Sequence, residues 1–173
     1  KLQQRRLCGR YENIINMKLV SNSSPLIFLA KLNFLELLSK DQIFIPTNVH
    51  KELLAKESVE KDKLMKFFNE KNIKIISPKN NQIQSDSLGK GEMETINLSI
   101  ENNIPHVLID DKRARSLARI QNLKPLGTLW TILRAFKNKE LTKAQARELI
   151  YDLPSIGFRI DQEFLFQILK KLD

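Results

Sequence analysis

From Met17 onward, short apolar runs take turns with amphipathic stretches. Residues 18–21, 43–45, 73–76, 106–109 and 123–126 are three- or four-residue runs of the kind that reads as short strands buried on both faces. Between them the apolar spacing turns helical. Pro25 suits a first helical turn, with Ser24 as its cap ahead of Leu26, Leu29 and Ala30. A second helical stretch is predicted over 34–38, another from Pro46 to about residue 55, and a longer one over 58–69 with Leu64, Phe67 and Phe68 on one side. Segment 80–87 is polar and turn-rich, a surface loop. Gly89-Lys90-Gly91 then leads into a helix from Glu92, with Met93, Ile96 and Ile100 in step. A basic helix follows over 112–120, and Gly127-Thr128 opens one that runs to Phe136. The last third is helical over 142–152, capped by Thr142, and over 161–172, with Pro154 and Gly157 as the break.

Strands that alternate with helices predict an α/β fold whose mostly parallel sheet is covered on both faces and whose C-terminus is helical. In such sheets ligands bind beyond the carboxyl ends of the strands, beside the point where strand order reverses. The residues just after each strand therefore carry the functional question. Residues 1–16 fit no such pattern. They read as an extension, disordered or derived from an upstream start, with the domain itself at 17–173; a basic arm for a partner is the sharper alternative.

Composition narrows the classes. At 173 residues the chain fits one domain with a core of its own. Cys8 is the one cysteine, so a disulfide framework is excluded and a reducing cytoplasm is the expected setting. Apolar runs such as 25–30 are far shorter than the ~20 residues a membrane span needs. The first ten residues lack the apolar centre of a signal peptide. A net charge of +9 favours a polyanionic partner, because neutralised phosphates release counterions.

Acidic or amide side chains recur where strands end or helices begin: Asn22, Glu52, Glu92 and Glu94, then Asp110-Asp111. Hard divalent cations take oxygen ligands, and magnesium accepts one or two carboxylates while keeping several waters. A cation so held lowers the pKa of a bound water and clamps a phosphodiester. Each residue also has a plain structural use. Asp110 and Asp111 suit the cap of the next helix, and Glu92 and Glu94 suit the positive end of theirs. Asn22 suits a turn, and Glu52, at the edge of an apolar face, needs a partner of some kind. Rival chemistries are weaker. His50 and His106 are not at ligand spacing, and Gly89-Lys90-Gly91 lacks the Lys-Ser/Thr pair of a P-loop. Trp130, Phe136, Phe164 and Phe166 read as core or interface.

Five segments taken in order carry a resemblance: 17–30 (MKLVSNSSPLIFLA), 45–53 (IPTNVHKEL), 89–98 (GKGEMETINL), 108–118 (LIDDKRARSLA) and 126–133 (LGTLWTIL). They resemble the successive motifs of the PIN-domain family, and within it the prokaryotic VapC-like toxin branch. The resemblance covers nearly everything from Met17 onward. It implies a three-layer α/β/α sandwich and a ribonuclease dependent on Mg2+ or Mn2+, acting as a toxin with a cognate antitoxin. By position, the catalytic carboxylates fall on Glu52, Glu92, Asp110 and Asp111, and the metal ligands on Asn22, Glu92, Asp110 and Asp111. Ser23, Ser24, Glu94 and Thr128 take supporting or phosphate-contacting places. Arg113, Arg115 and Arg119, on the helix after Asp111, are candidates to line the phosphate path, with a solvated helix face as the plain alternative. Asn22 departs from the family pattern, which has Asp there, and removes one negative charge from the site. Three readings follow: an endoribonuclease, a non-catalytic PIN module that binds RNA or a protein, and an oligomer subunit built on the apolar stretch 164–169. RNA, an antitoxin protein and a second copy of the chain in a homodimer are the expected partners, with no membrane.

Overall fold

The computed structural model describes residues 16–55, 57–71, 73–80 and 82–172. The extension expected at 1–16 thus lies, but for Asn16, outside the described residues. Five strands, β1 (Lys18–Ser21), β2 (Gln42–Pro46), β3 (Ile73–Ile76), β4 (His106–Leu108) and β5 (Lys124–Leu126), pair in the order β3-β2-β1-β4-β5, every pair parallel. Eight α-helices connect and cover them: α1 (Ser23–Lys31), α2 (Thr47–Leu54), α3 (Val59–Glu70), α4 (Lys90–Glu101), α5 (Lys112–Ile120), α6 (Thr128–Lys137), α7 (Lys143–Asp152) and α8 (Gln162–Lys171).

The two-residue alternation of the strands divides the interior in two. Leu19, Ile43, Ile45 and Leu108 face a larger core with side chains of α1, α2, α3, α6, α7 and α8. Val20, Phe44, Val107 and Ile109 face a smaller core closed by α4 and α5 through Ile96, Leu98, Ala114 and Ala118. The result is the α/β/α sandwich. Leu19, Ile43, Ile45 and Leu108 have no exposed surface, and each such burial stabilises by roughly 1.5–3 kcal/mol.

Some boundaries differ from the sequence reading. Helix α1 begins at Ser23 rather than after Ser24, which keeps Pro25 in the first turn, where its missing N–H is not needed. The stretch expected over 34–38 is a single 3-10 turn, Leu35–Leu38. Helix α4 begins at Lys90, two residues before Glu92. Four helices end in one way. Asn33, Asn103, Asn122 and Lys139 adopt φ of 61°, 52°, 59° and 59° just past α1, α4, α5 and α6. The following N–H then bonds back to the last turn, as in Phe34 N–H to Leu29 O at 2.8 Å and Ile104 N–H to Ser99 O at 2.9 Å.

A buried ion pair ties the start of β1 to α6. Arg134 donates to both oxygens of Asp41, at 3.0 and 2.6 Å, and to Leu37 O at 2.9 Å. Asp41 also accepts from Met17 N–H at 3.0 Å, and the guanidinium lies over the Trp130 ring. Asp41 is 3% and Arg134 5% exposed, so neither charge has much water to fall back on.

Candidate active site

Strand order reverses beside β1, whose neighbours are β2 on one side and β4 on the other. The carboxyl ends of β1 and β4 lie together there, joined past the strand end by Asn22 N–H to Leu108 O at 3.0 Å. Asn22 follows β1 and Asp110 follows β4, so the fold brings these two residues to the crevice where ligands bind in such sheets.

Asn22 occupies the cap position of α1 with extended backbone, yet its side chain makes no capping bond. It is 3% exposed, and its Oδ1 has no hydrogen-bond partner among the described residues. An asparagine at a helix start ordinarily accepts a bond from the first turn. Here the amide oxygen is turned instead toward α4. A Cβ on Gly91 would stand 3.3 Å from Asn22 Oδ1, 3.3 Å from Glu52 Oε2 and 3.1 Å from Val49 Cγ2. A side chain at position 91 would crowd all three atoms, so glycine eases the close approach of α4 to the end of β1.

Glu94 sits three residues after Gly91 and so shares its helix face. Its Oε1 accepts a hydrogen bond from Asn48 of α2, and its Oε2 is shielded from solvent with no partner among the described residues. Asn48 and Glu52 are one turn apart on α2. The faces of α2 and α4 that meet near Asn22 thus carry two carboxylates, Glu52 and Glu94, and one amide, Asn48. Glu92 looks elsewhere. As the third residue of α4 it turns back to accept Gly89 N–H at 2.6 Å, the reciprocal half of a helix cap. The structure therefore spends Glu92 on its own helix and leaves Glu94, on the face of α4 that carries Gly91, bonded to Asn48. Asn48 was not singled out from the sequence, although its four-residue spacing from Glu52 was a signal available there.

Asp110 is half-buried and well held. Its Oδ1 accepts Thr128 N–H at 2.8 Å and its Oδ2 accepts the Thr128 hydroxyl at 2.6 Å. Burial raises its pKa above the ordinary 3.8, against the lowering effects of the Thr128 bonds and of the Arg115 guanidinium. A Cβ on Gly127 would meet Asp110 Oδ1 at 2.5 Å and Arg115 Nη1 at 2.9 Å, so glycine is required by close approach. Arg115 donates to Ile109 O at 2.9 Å, which fixes a cation beside Asp110. Asp111 is exposed, and its Oδ1 caps α5 by accepting Ala114 N–H at 2.8 Å. Ser23 is buried in the first turn of α1, with Ser24 half-buried after it. Arg113 is exposed on α5. Burial lowers the pKa of both His50 and His106, with Lys124 adding to the effect at His106.

Among the described residues no three His, Cys, Asp or Glu side chains form a cluster fit for a metal ion. The donors gathered here are of another composition: the Asn22 and Glu94 oxygens left unpaired, with Glu52 beside Gly91 and Asp110 beyond the neighbouring strand. A buried oxygen without a partner costs roughly 1–3 kcal/mol. Such oxygens suit a hard cation, which takes oxygen from amides and carboxylates alike.

The family model DUF3368, a PIN domain, matches residues 18–173, and the chain belongs to that family. PIN domains are generally nucleases and typically use divalent metals. Among solved structures the chain is similar to a domain of a functionally unknown protein from Methanocaldococcus jannaschii DSM 2661. That likeness has 19% identity and a TM-score of 0.46, over 64% of this chain and 90% of that one. A search of curated proteins finds no match. Among the described residues no helix is long and apolar enough to cross a membrane.

Proposed function

We propose that this PIN domain is a metal-dependent endoribonuclease and the toxin of a toxin–antitoxin pair. The observation that carries the nuclease reading is the pair of shielded, unpartnered oxygens, Asn22 Oδ1 and Glu94 Oε2, at the strand-order reversal. The toxin role is supported by the resemblance of the five motifs alone. Asn22, Glu94 and Asp110 would hold Mg2+ or Mn2+, with Glu52 at its margin. The cation when bound supplies an acidified water and neutralises phosphate charge. The rest falls to the chain. Thr128 and Arg115 fix the Asp110 carboxylate, Asn48 fixes Glu94, and the two glycines let the helices close around them. Glu92 and Asp111 serve as helix caps.

Asn22 also favours a second reading, a PIN module that binds RNA without cutting it, because an amide brings no charge to the cation. One experiment separates the two. Labelled single-stranded RNA is incubated with the full chain in Mn2+ or EDTA, beside an Asp110→Asn variant. Cleavage that needs Mn2+ and is lost in the variant supports the nuclease. Binding without cleavage by the wild type supports the module.

A further inference from the structure

On the outer side of α5, Lys112, Ser116 and Ile120 follow at four-residue spacing, with Arg113 and Leu117 alongside. That spacing stacks them in one stripe about 12 Å long. Across an open cleft of about 500 Å³ the stripe faces the loop at Ser85, Ser87 and Leu88. The loop wall is anchored to α4. Asn97 accepts Ile83 N–H at 2.8 Å and donates to Ile83 O at 3.0 Å, while Lys79 N–H bonds Glu101 Oε2 at 2.7 Å.

The chemistry of the cleft changes along its length. Its cationic end, Lys112 and Arg113, lies where the chain leaves Asp110 and Asp111. Among the described residues neither of these cations makes an ion pair. Helix α5 carries Lys112, Arg113, Arg115 and Arg119 and no acid. One of its terminal amides, Ala114 N–H, is already taken by Asp111. Along α5 away from that end the wall turns apolar, with Leu117 and then Ile120, the last 73% exposed, while Leu88 stands on the opposite wall. A ligand with anionic charge at one end and a flat apolar face at the other matches both ends. A nucleotide, with a phosphate at one end and a flat base at the other, is such a ligand. A duplex hides its base faces, whereas a single strand offers them together with its phosphates.

We propose that this cleft is a substrate subsite that holds a nucleotide of single-stranded RNA flanking the reaction centre. The phosphate is met by Lys112 and Arg113, and the base lies over Leu117, Ile120 and Leu88. This rests on the nuclease reading for the identity of the strand. The test is fluorescence anisotropy of a short labelled single-stranded RNA with the full chain, in EDTA and over a salt series. Lys112, Arg113 and Ile120 are exposed, so their variants keep the fold.

The double variant Lys112→Gln/Arg113→Gln should bind at least tenfold more weakly at low salt. Its slope of log affinity against log salt should be shallower by about 0.7–1.4, the change expected when one or two phosphates are no longer neutralised. Ile120→Ser should weaken binding severalfold and leave the slope unchanged. The control Lys66→Gln/Lys170→Gln removes the same charge elsewhere and should change little. Wild-type affinity in the cleft variants overturns the proposal, and so does an equal loss in the control, which would mean diffuse charge attraction. Cleavage in Mn2+ is scored separately. Wild-type cleavage with unchanged cleft variants removes the subsite and keeps the nuclease. Cleft-dependent binding without wild-type cleavage keeps the subsite and removes the nuclease.

Discussion

Replacing Asn22 with Asp adds one charge to the proposed cation site and almost no volume. The position is 3% exposed and its oxygen has no partner among the described residues, so the new carboxylate can draw little on water or on existing donors. Without metal it stands near Glu52, on the other side of Gly91. Two unit charges 4 Å apart interact by about 4 kcal/mol at an effective dielectric of about 20, and by half that at twice the distance. A loss of about 2–4 kcal/mol is expected, capped where the new carboxyl takes up a proton instead. For a domain of this size 1 kcal/mol moves Tm by about 2–4 °C, so Asn22→Asp in EDTA should melt roughly 4–16 °C below the wild type. Mn2+ acts in the opposite direction and recovers part of that loss. A tenfold gain in affinity is worth about 1.4 kcal/mol at saturating metal, roughly 3–6 °C of added metal-induced shift. Thermal melts of both proteins in EDTA and in Mn2+, with RNA cleavage read alongside, check this. Equal metal-induced shifts, with no cleavage by either protein, would refute the cation site.

Three further outcomes are expected. Glu94→Gln should abolish Mn2+-dependent cleavage and leave Tm unchanged or higher, whereas Glu92→Gln keeps an acceptor for Gly89 N–H and should keep both; the opposite pattern of cleavage would return Glu92 to the metal set. Arg134→Met leaves Asp41 buried without its cation and should cost about 3–5 kcal/mol in thermal unfolding, and a loss under about 1 kcal/mol would show that water reaches Asp41. Asp110 has a folded pKa above 3.8, so the folded state binds its proton more tightly than the unfolded one. In EDTA the stability of the wild type minus that of Asp110→Asn should therefore fall as pH rises from the ordinary carboxylate pKa through the raised one; a difference that stays flat or rises from about pH 4 to about pH 8 contradicts this.

The sheet was legible because its strands are short, apolar and alternate cleanly: Leu19 against Val20, Ile43 and Ile45 against Phe44. The location of the site was legible for a related reason, since parallel sheets place ligands at strand ends and Asn22 and Asp110 follow strands. The choice between Glu92 and Glu94 was not. It turns on whether α4 starts at Lys90 or Glu92, and helix ends are the least determined feature of a pattern. A shift of two residues rotates a side chain by more than half a turn. That Asn22 forgoes its capping bond is likewise set by what packs above it, through Gly91, and not by its neighbours in sequence. The Asp41–Arg134 pair joins residues 93 apart, beyond any local pattern. The asparagines that end α1, α4 and α5 were readable in principle, as left-handed residues just past the last apolar position, although only Gly157 stands out in the sequence as a break of that kind.

The central place of β1 bears on when a newly made chain acquires its chemistry. Its pairing with β2 joins Leu19 to Ile43, and its pairing with β4 joins Leu19 to His106. The first contact forms early. The second waits for a much longer stretch of synthesis, several seconds at the usual ~5–20 residues per second, and closes a far longer loop. Asp110 reaches the end of β1 only through that second pairing, and its carboxylate is held only once Thr128 has followed. A chain released before β4 therefore carries Asn22, Glu52 and Glu94 and still lacks the strand that completes the crevice. The order of strands therefore leaves the candidate crevice incomplete until synthesis has passed β4 and Thr128.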